Sequence, residues 1–239
     1  MFLKRIIKKK IIPSLYCTPV SNNLKLKLLN YEQPEIVLKI NLNEINQFLQ
    51  NSHLENIFAP HKIKKTYVPG FIWTGEWDLK SKPIDKYYEY SVSYRSIFQI
   101  FKDGRHYNDC DEYKMKAAQI RNNIFSVRGQ SIEELNRYFE SLIFLKNTIE
   151  KNGYLSQRDL NQKKTDDEIG VFIDRYGNLI KAEDDFSGTH RFAIAKLLKL
   201  PFVYVNLVAV HRIWAEQNLD YLIHRQDKLQ PKFLLNIEE

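Results

Sequence analysis

Hydrophobic and polar positions along this chain follow two periods, and the change from one to the other marks its elements. Val171-Phe172-Ile173-Asp174 and Leu179-Ile180-Lys181-Ala182 read as strands around Arg175-Tyr176-Gly177-Asn178, a hairpin turn with Gly and Asn where a positive φ costs little. From Phe192 to Leu200 the residues are apolar or alanine apart from Lys196 and Lys199, which predicts a largely buried helix. Pro201 stops that helix, and Phe202 to Val210 reads as an inner strand. Ser131 to Asn152 is a second helix: Ser131 and Glu134 make a capping box, Gly153 is a stop, and Ile132, Leu135, Tyr138, Phe139, Leu142, Ile143 and Ile149 share a face. Pro83 to Phe101 is a third, with Tyr87, Tyr88 and Tyr94 in a stripe that suits a core better than a base-stacking platform. Pro34 to Ile40 predicts a short strand, and Asn41 is placed to cap a helix through Leu49. Tyr221 to Arg225 suits a short helix.

These elements predict an α/β (α+β) fold, a small mixed sheet with a helical part. The chain divides into a basic segment 1–20, an N-terminal and helical part 21–152, and a region 153–239 around the Gly188 turn, the last two packed as one unit.

Composition narrows the partners. Among 239 residues, 44% hydrophobic and 13% aromatic content argues for a real core, and a formal charge of +7 favours acidic partners. Nucleotide, nucleic acid, a polyanionic glycan and an anionic membrane all qualify. Cys17 and Cys110 lie far apart without metal or disulfide spacing, so a reducing, cytoplasmic setting is expected. No apolar run approaches the roughly 20 residues that span a bilayer. Met1 to Ile12 sets Leu3, Ile7 and Ile11 on one helical face and five Lys or Arg on the other, which suits peripheral attachment to an anionic inner membrane surface. A helix packed on its own domain would carry the same pattern.

Candidate chemistry centres on Ser187-Gly188-Thr189-His190-Arg191. A Gly at a helix start lets an anion approach free N–H groups, and the helix dipole favours negative charge there. Arg191 and His190 are donors beside that position, so the turn is read as a phosphate site. A second stretch, Tyr67 to Asp78, is an aromatic loop in which Glu76 and Asp78 flank Trp77. Both acids could face one cavity; the alternative is that Trp73 and Trp77 dock the loop while the acids stay in water. Gly104 to Asn123 is a mixed-charge region without metal-ligand regularity, and Arg105 with His106 is a candidate for a substrate pocket.

Gly188-Thr189-His190-Arg191-Phe192-Ala193-Ile194-Ala195 resembles the G-x-H-R-x-x-A box of the ParB/sulfiredoxin-like superfamily. Gly75-Glu76-Trp77-Asp78, Gly153-Tyr154 and His211-Arg212-Ile213-Trp214 are similar, in that order, to segments of an uncharacterised ParB-like branch. The resemblance spans roughly residues 65 to 215 and implies a nucleotide-binding core. It assigns Ser187, Gly188, Thr189, His190 and Arg191 to the phosphates of ATP or another nucleotide. Glu76 or Asp78 would be the base or Mg²⁺ ligand, with Asp184 or Asp185 competing, and His190 would stand at the catalytic centre. His211, Trp214, Trp77 and Arg105 would line the acceptor pocket. Relatives often carry Asp where Ser187 stands. Thr189 occupies the place of the reactive Cys of sulfiredoxins, which argues against sulfinic-acid repair, and too little chain follows Trp214 for the DNA-binding domains of ParB. The implied function is a nucleotide-dependent kinase or phosphotransferase acting on a small hydroxylated molecule or a glycan. The alternative is a non-catalytic or nuclease-like ParB relative that binds nucleic acid, drawing on Lys62, Lys64 and Lys65.

Overall fold

The computed structural model describes residues 36–50, 71–124, 129–160, 168–183 and 188–218. Its frame is a mixed seven-stranded sheet. The strands are β1 (Val37–Asn41), β2 (Ile45–Leu49), β3 (Ile72–Trp73), β4 (Lys82–Pro83), β5 (Ile169–Ile173), β6 (Leu179–Ala182) and β7 (Phe202–His211). Their order is β1-β7-β5-β6-β2-β4, with β3 parallel to the end of β7. β5 and β6 form the antiparallel hairpin, and β5 runs parallel to β7. The turn between β5 and β6 closes on Asp174, whose carboxylate accepts the N–H groups of Tyr176 and Asn178 and the Asn178 side chain. β1 and β2, from the N-terminal half, pair directly with β7 and β6, so both halves of the chain build one sheet.

Both faces of the sheet are covered. Val171, Ile173, Val203, Val205 and Phe48 point to the larger core, where the helices pack. Phe172, Ile180, Ala182 and Ala209 point the other way and meet Trp73 and Trp77. Strands buried on two faces read as continuous apolar runs, which is the pattern of β5 and β7. The helices are α1 (Tyr87–Tyr90), α2 (Val92–Phe101), α3 (Asp111–Arg121), α4 (Ile132–Asn152), α5 (Thr189–Leu197) and α6 (Arg212–Gln217). α5 packs against α2, α4 and β5, so the Gly188 turn sits inside the helical layer rather than on an outer edge.

Three elements differ from the sequence expectations. Asn41 does cap, its side chain accepting the Asn43 N–H, but only a 3-10 turn, Leu42–Glu44, follows before β2 begins. Burial of Ile45, Phe48 and Leu49 in the sheet, with β2 parallel to β6, overrides the local helix signal. The helix expected over Pro83–Phe101 is broken at Ser91, which takes extended angles and caps α2 by accepting the Tyr94 N–H. Ser91→Ala should therefore cost about 1 kcal/mol, seen as a lower denaturant midpoint at unchanged slope. The third is α3, in a region read only as mixed charge. Of its residues only Glu112, Tyr113 and Ala117 are buried, so no apolar stripe announces it.

The predicted amphipathic segment 1–12, the basic residues Lys62, Lys64 and Lys65, and the helix at 221–225 lie outside the described residues. No described helix is long and apolar enough to cross a membrane.

Candidate functional site

Thr189, His190 and Arg191 form the first turn of α5, and all three are buried. Successive helical residues point about 100° apart, so each meets a different neighbour. The Thr189 hydroxyl lies 3.4 Å from the hydroxyl of Tyr87. His190 Nε2 is 2.7 Å from a carboxylate oxygen of Glu112, itself buried in the first turn of α3. His190 Nδ1 stands 3.3 Å from the Tyr138 hydroxyl of α4. With Nε2 donating to the carboxylate, Nδ1 is the acceptor that faces the Tyr138 hydroxyl. Arg191 donates to the Leu155 carbonyl at 2.6 Å, and its guanidinium lies 4.7 Å from the Tyr154 ring centroid. Its Nε is buried and has no hydrogen-bond partner among the described residues.

Gly188 is fixed here for two reasons. Its φ is 73°, and a Cβ would stand 2.5 Å from Ile169 Cα and 2.6 Å from the Glu168 carbonyl oxygen. The glycine therefore seats α5 against the start of β5. Having no side chain, it also leaves the first-turn N–H groups of a buried helix without a side-chain cap.

Tyr154 joins this group. Its hydroxyl donates to Glu168 at 3.4 Å, and Glu168 also accepts the Gln157 N–H at 2.5 Å. Burial pushes the Glu168 carboxyl above its ordinary value, against the opposing pull of the Gln157 N–H, the Arg191 charge and the Tyr154 hydroxyl. The Gly153-Tyr154 pair and the box thus meet around one buried arginine.

Gly75-Glu76-Trp77-Asp78 and His211 form a separate assembly. Asp78 is buried, and both its oxygens take bonds from Arg175: 2.7 Å from Nη2 to one, and 2.7 Å from Nε and 3.2 Å from the backbone N–H to the other. Burial raises the Asp78 pKa, but the Arg175 hydrogen bonds and the His211 and Arg175 charges outweigh it, leaving the carboxyl below its ordinary value. Arg175 also donates to the Gly75 carbonyl, and His211 Nε2 meets that same oxygen at 3.0 Å. His211 Nδ1 accepts the Ile213 N–H, capping α6. The Trp77 ring lies 5.9 Å from His211, whereas Trp214 enters the helix-side core. Glu76 is exposed.

The two assemblies occupy opposite ends of β5. Gly188 sits on Ile169 at the strand's start, and Arg175 follows its last residue, Ile173. Four rises of about 3.3 Å put roughly 13 Å between those ends. Asp78, already bound to Arg175, and Glu76, beside it in the chain, are thus not brought to the phosphates of a ligand at Gly188. Arg105 is exposed between α2 and α3, where its charge acts on Asp111. Asp184, Asp185 and Ser187 lie outside the described residues.

Sequence reasoning did not single out Glu112, Glu168, Tyr138 or Arg175 for a site role. For Glu112 a signal existed: Asp111 and Glu112 open α3 and Arg121 closes it, the charge order that suits a helix dipole. Among the described residues no cluster of three or more His, Cys, Asp or Glu could hold a metal ion. Cys110 is buried, and burial pushes its thiol up, away from reactivity. A cleft of about 350 Å³ opens beside α2, walled by Tyr88, Tyr94 and Phe98 with Asp85, Lys102 and Asp103 around it. Tyr94 backs it and packs 5.9 Å from Phe192 of α5.

Comparison with protein-family models, curated proteins and solved structures returns no match. The resemblance to the ParB/sulfiredoxin-like superfamily rests on its motif residues alone.

Proposed function

We propose that this chain is a nucleotide-dependent phosphotransferase whose phosphate site is the start of α5. The observation that carries the reading is the buried first turn of that helix, which Gly188 leaves without a side-chain cap, and the buried Arg191 Nε beside it, which has no hydrogen-bond partner among the described residues. Buried donors without partners are costly, and a bound anion would satisfy them. Gly188 brings the backbone close, Thr189 adds a hydroxyl, and Arg191 offers a charged donor.

His190 is assigned the base. Glu112 holds its proton on Nε2, so Nδ1 takes the proton of the acceptor hydroxyl. The acceptor oxygen forms its bond to the terminal phosphorus as the bond to the bridging oxygen breaks, and the nucleoside diphosphate leaves. ATP supplies the transferable phosphoryl group. Magnesium on phosphates uses one or two carboxylates. Asp78 and Glu76 do not fit that role, because they stand with Arg175 at the far end of β5. The acceptor class remains a small hydroxylated molecule or a glycan. The cleft at Tyr88, Tyr94 and Phe98 suits such a ligand, with aromatic faces for C–H groups and two carboxylates for hydroxyls.

His190→Ala should lower nucleotide turnover about 10²- to 10⁴-fold while nucleotide still binds. ADP release with water, polyols and sugars as acceptors measures it. A folded His190→Ala protein that turns over at the wild-type rate removes the base from this residue.

A further inference from the structure

The break at Ser91 lets Tyr88 of α1 meet Phe98 of α2, with ring centroids 6.0 Å apart and ring planes at 85°. Tyr94 lies one helical turn before Phe98, and those two rings stand 5.0 Å apart at 34°. Arg95 holds the bend: its guanidinium donates to the Tyr88 and Glu89 carbonyls and to Asp111. The three rings wall one cleft of about 350 Å³, and Asp85, Lys102 and Asp103 also line it. Those three charged residues are exposed. Among the described residues neither Asp85 nor Asp103 is engaged in an ion pair or a side-chain hydrogen bond. Two carboxylates against one ammonium make the lining net negative, in a chain whose formal charge is +7.

Cation–π attraction acts within about 6 Å of a ring centroid, so a cation in the corner between Tyr88 and Phe98 is within reach of both rings. Ring faces attract positive charge but supply no strong hydrogen-bond acceptor. A primary ammonium, with three N–H groups to satisfy, would lose more on entering than a cation whose charge is spread over methyl groups. We propose that this cleft binds a small N-methylated ammonium compound, its methyl groups against Tyr88, Tyr94 and Phe98 and its charge balanced by Asp85 and Asp103. The inference goes beyond the phosphotransferase reading and does not rest on it. In the sequence the tyrosine stripe suits a core. The structure buries Tyr87 and Tyr94 but leaves Tyr88 exposed at the cleft, and that difference makes the stripe a binding surface.

NMR titration of the full chain with choline, tetramethylammonium and the uncharged tert-butyl analogue of choline tests this. Both cations should move the ring resonances of Tyr88 and Phe98. Choline should bind about tenfold tighter than its uncharged analogue. Tyr88→Leu, a change at an exposed position, should weaken choline about three- to fivefold. Asp85→Asn combined with Asp103→Asn should weaken it about two- to tenfold, a loss that shrinks at high salt. Equal affinity for choline and its uncharged analogue, or ring resonances of Tyr88 and Phe98 indifferent to both cations, overturns the cation site and leaves the phosphate reading standing. Choline binding with these properties in a protein that binds no nucleotide overturns the phosphate reading and leaves the cation site.

Discussion

Gly188→Ala is expected to destabilise the fold by about 3 kcal/mol or more, combining a left-handed backbone with overpacking. The added methyl would meet Ile169 Cα at 2.5 Å, Glu168 O at 2.6 Å and Ile169 N at 2.7 Å, all backbone atoms where a central strand begins. No rotamer change relieves a contact with backbone, so α5 must lift from β5. Chemical denaturation should show a lower midpoint, and the loss should exceed that of Gly104→Ala. Gly104 also has positive φ, 72°, but nothing within 4 Å of its Cβ position. Equal losses at the two glycines would mean that the conformation alone, and not the seating of α5, fixes Gly188.

Asp78→Ala is expected to cost about 3 kcal/mol, the range for breaking a buried, hydrogen-bonded charge pair. Asp78 joins the Trp77 segment to the β5–β6 turn, so its loss frees two elements from each other. A double-mutant cycle with Arg175→Ala should return a coupling of about 1.5 to 3 kcal/mol. The pH dependence has a definite sign. The folded pKa of Asp78 is lowered, so its stabilisation is fully present above the unfolded carboxyl value of about 3.9. That stabilisation is lost as pH falls through the lower folded value. Wild type should therefore lose stability below about pH 4 more steeply than Asp78→Asn. Parallel acid limbs would show that Asp78 contributes nothing through its charge.

The hairpin, the helix after Gly188, the strand to Val210 and the capped helix after Ser131 were legible in the chain because each is a local signal. Turn chemistry, a capping box and apolar period suffice for them. Ile45–Leu49 was not legible as strand, because its pairing with β6 is a contact between residues more than a hundred positions apart. The site was legible in part. The chain does gather Tyr154 to Arg191 and Trp77 to His211. That these form two assemblies could not be read from order along the chain. It follows from β5, which carries Gly188's seat at one end and Arg175 at the other. Glu112 stayed hidden because α3 has almost no apolar face.

Calorimetric titration of the full chain with ATP, ADP, CTP and GTP, each with and without Mg²⁺, tests the phosphate site most directly. One nucleotide should bind the wild-type protein, and at a hundred times its Kd should raise stability by about 2.7 kcal/mol. Arg191→Lys, which keeps the charge but loses the planar fork, should weaken that binding about tenfold. A folded wild-type protein that binds none of the four would contradict the assignment of the α5 start to phosphates.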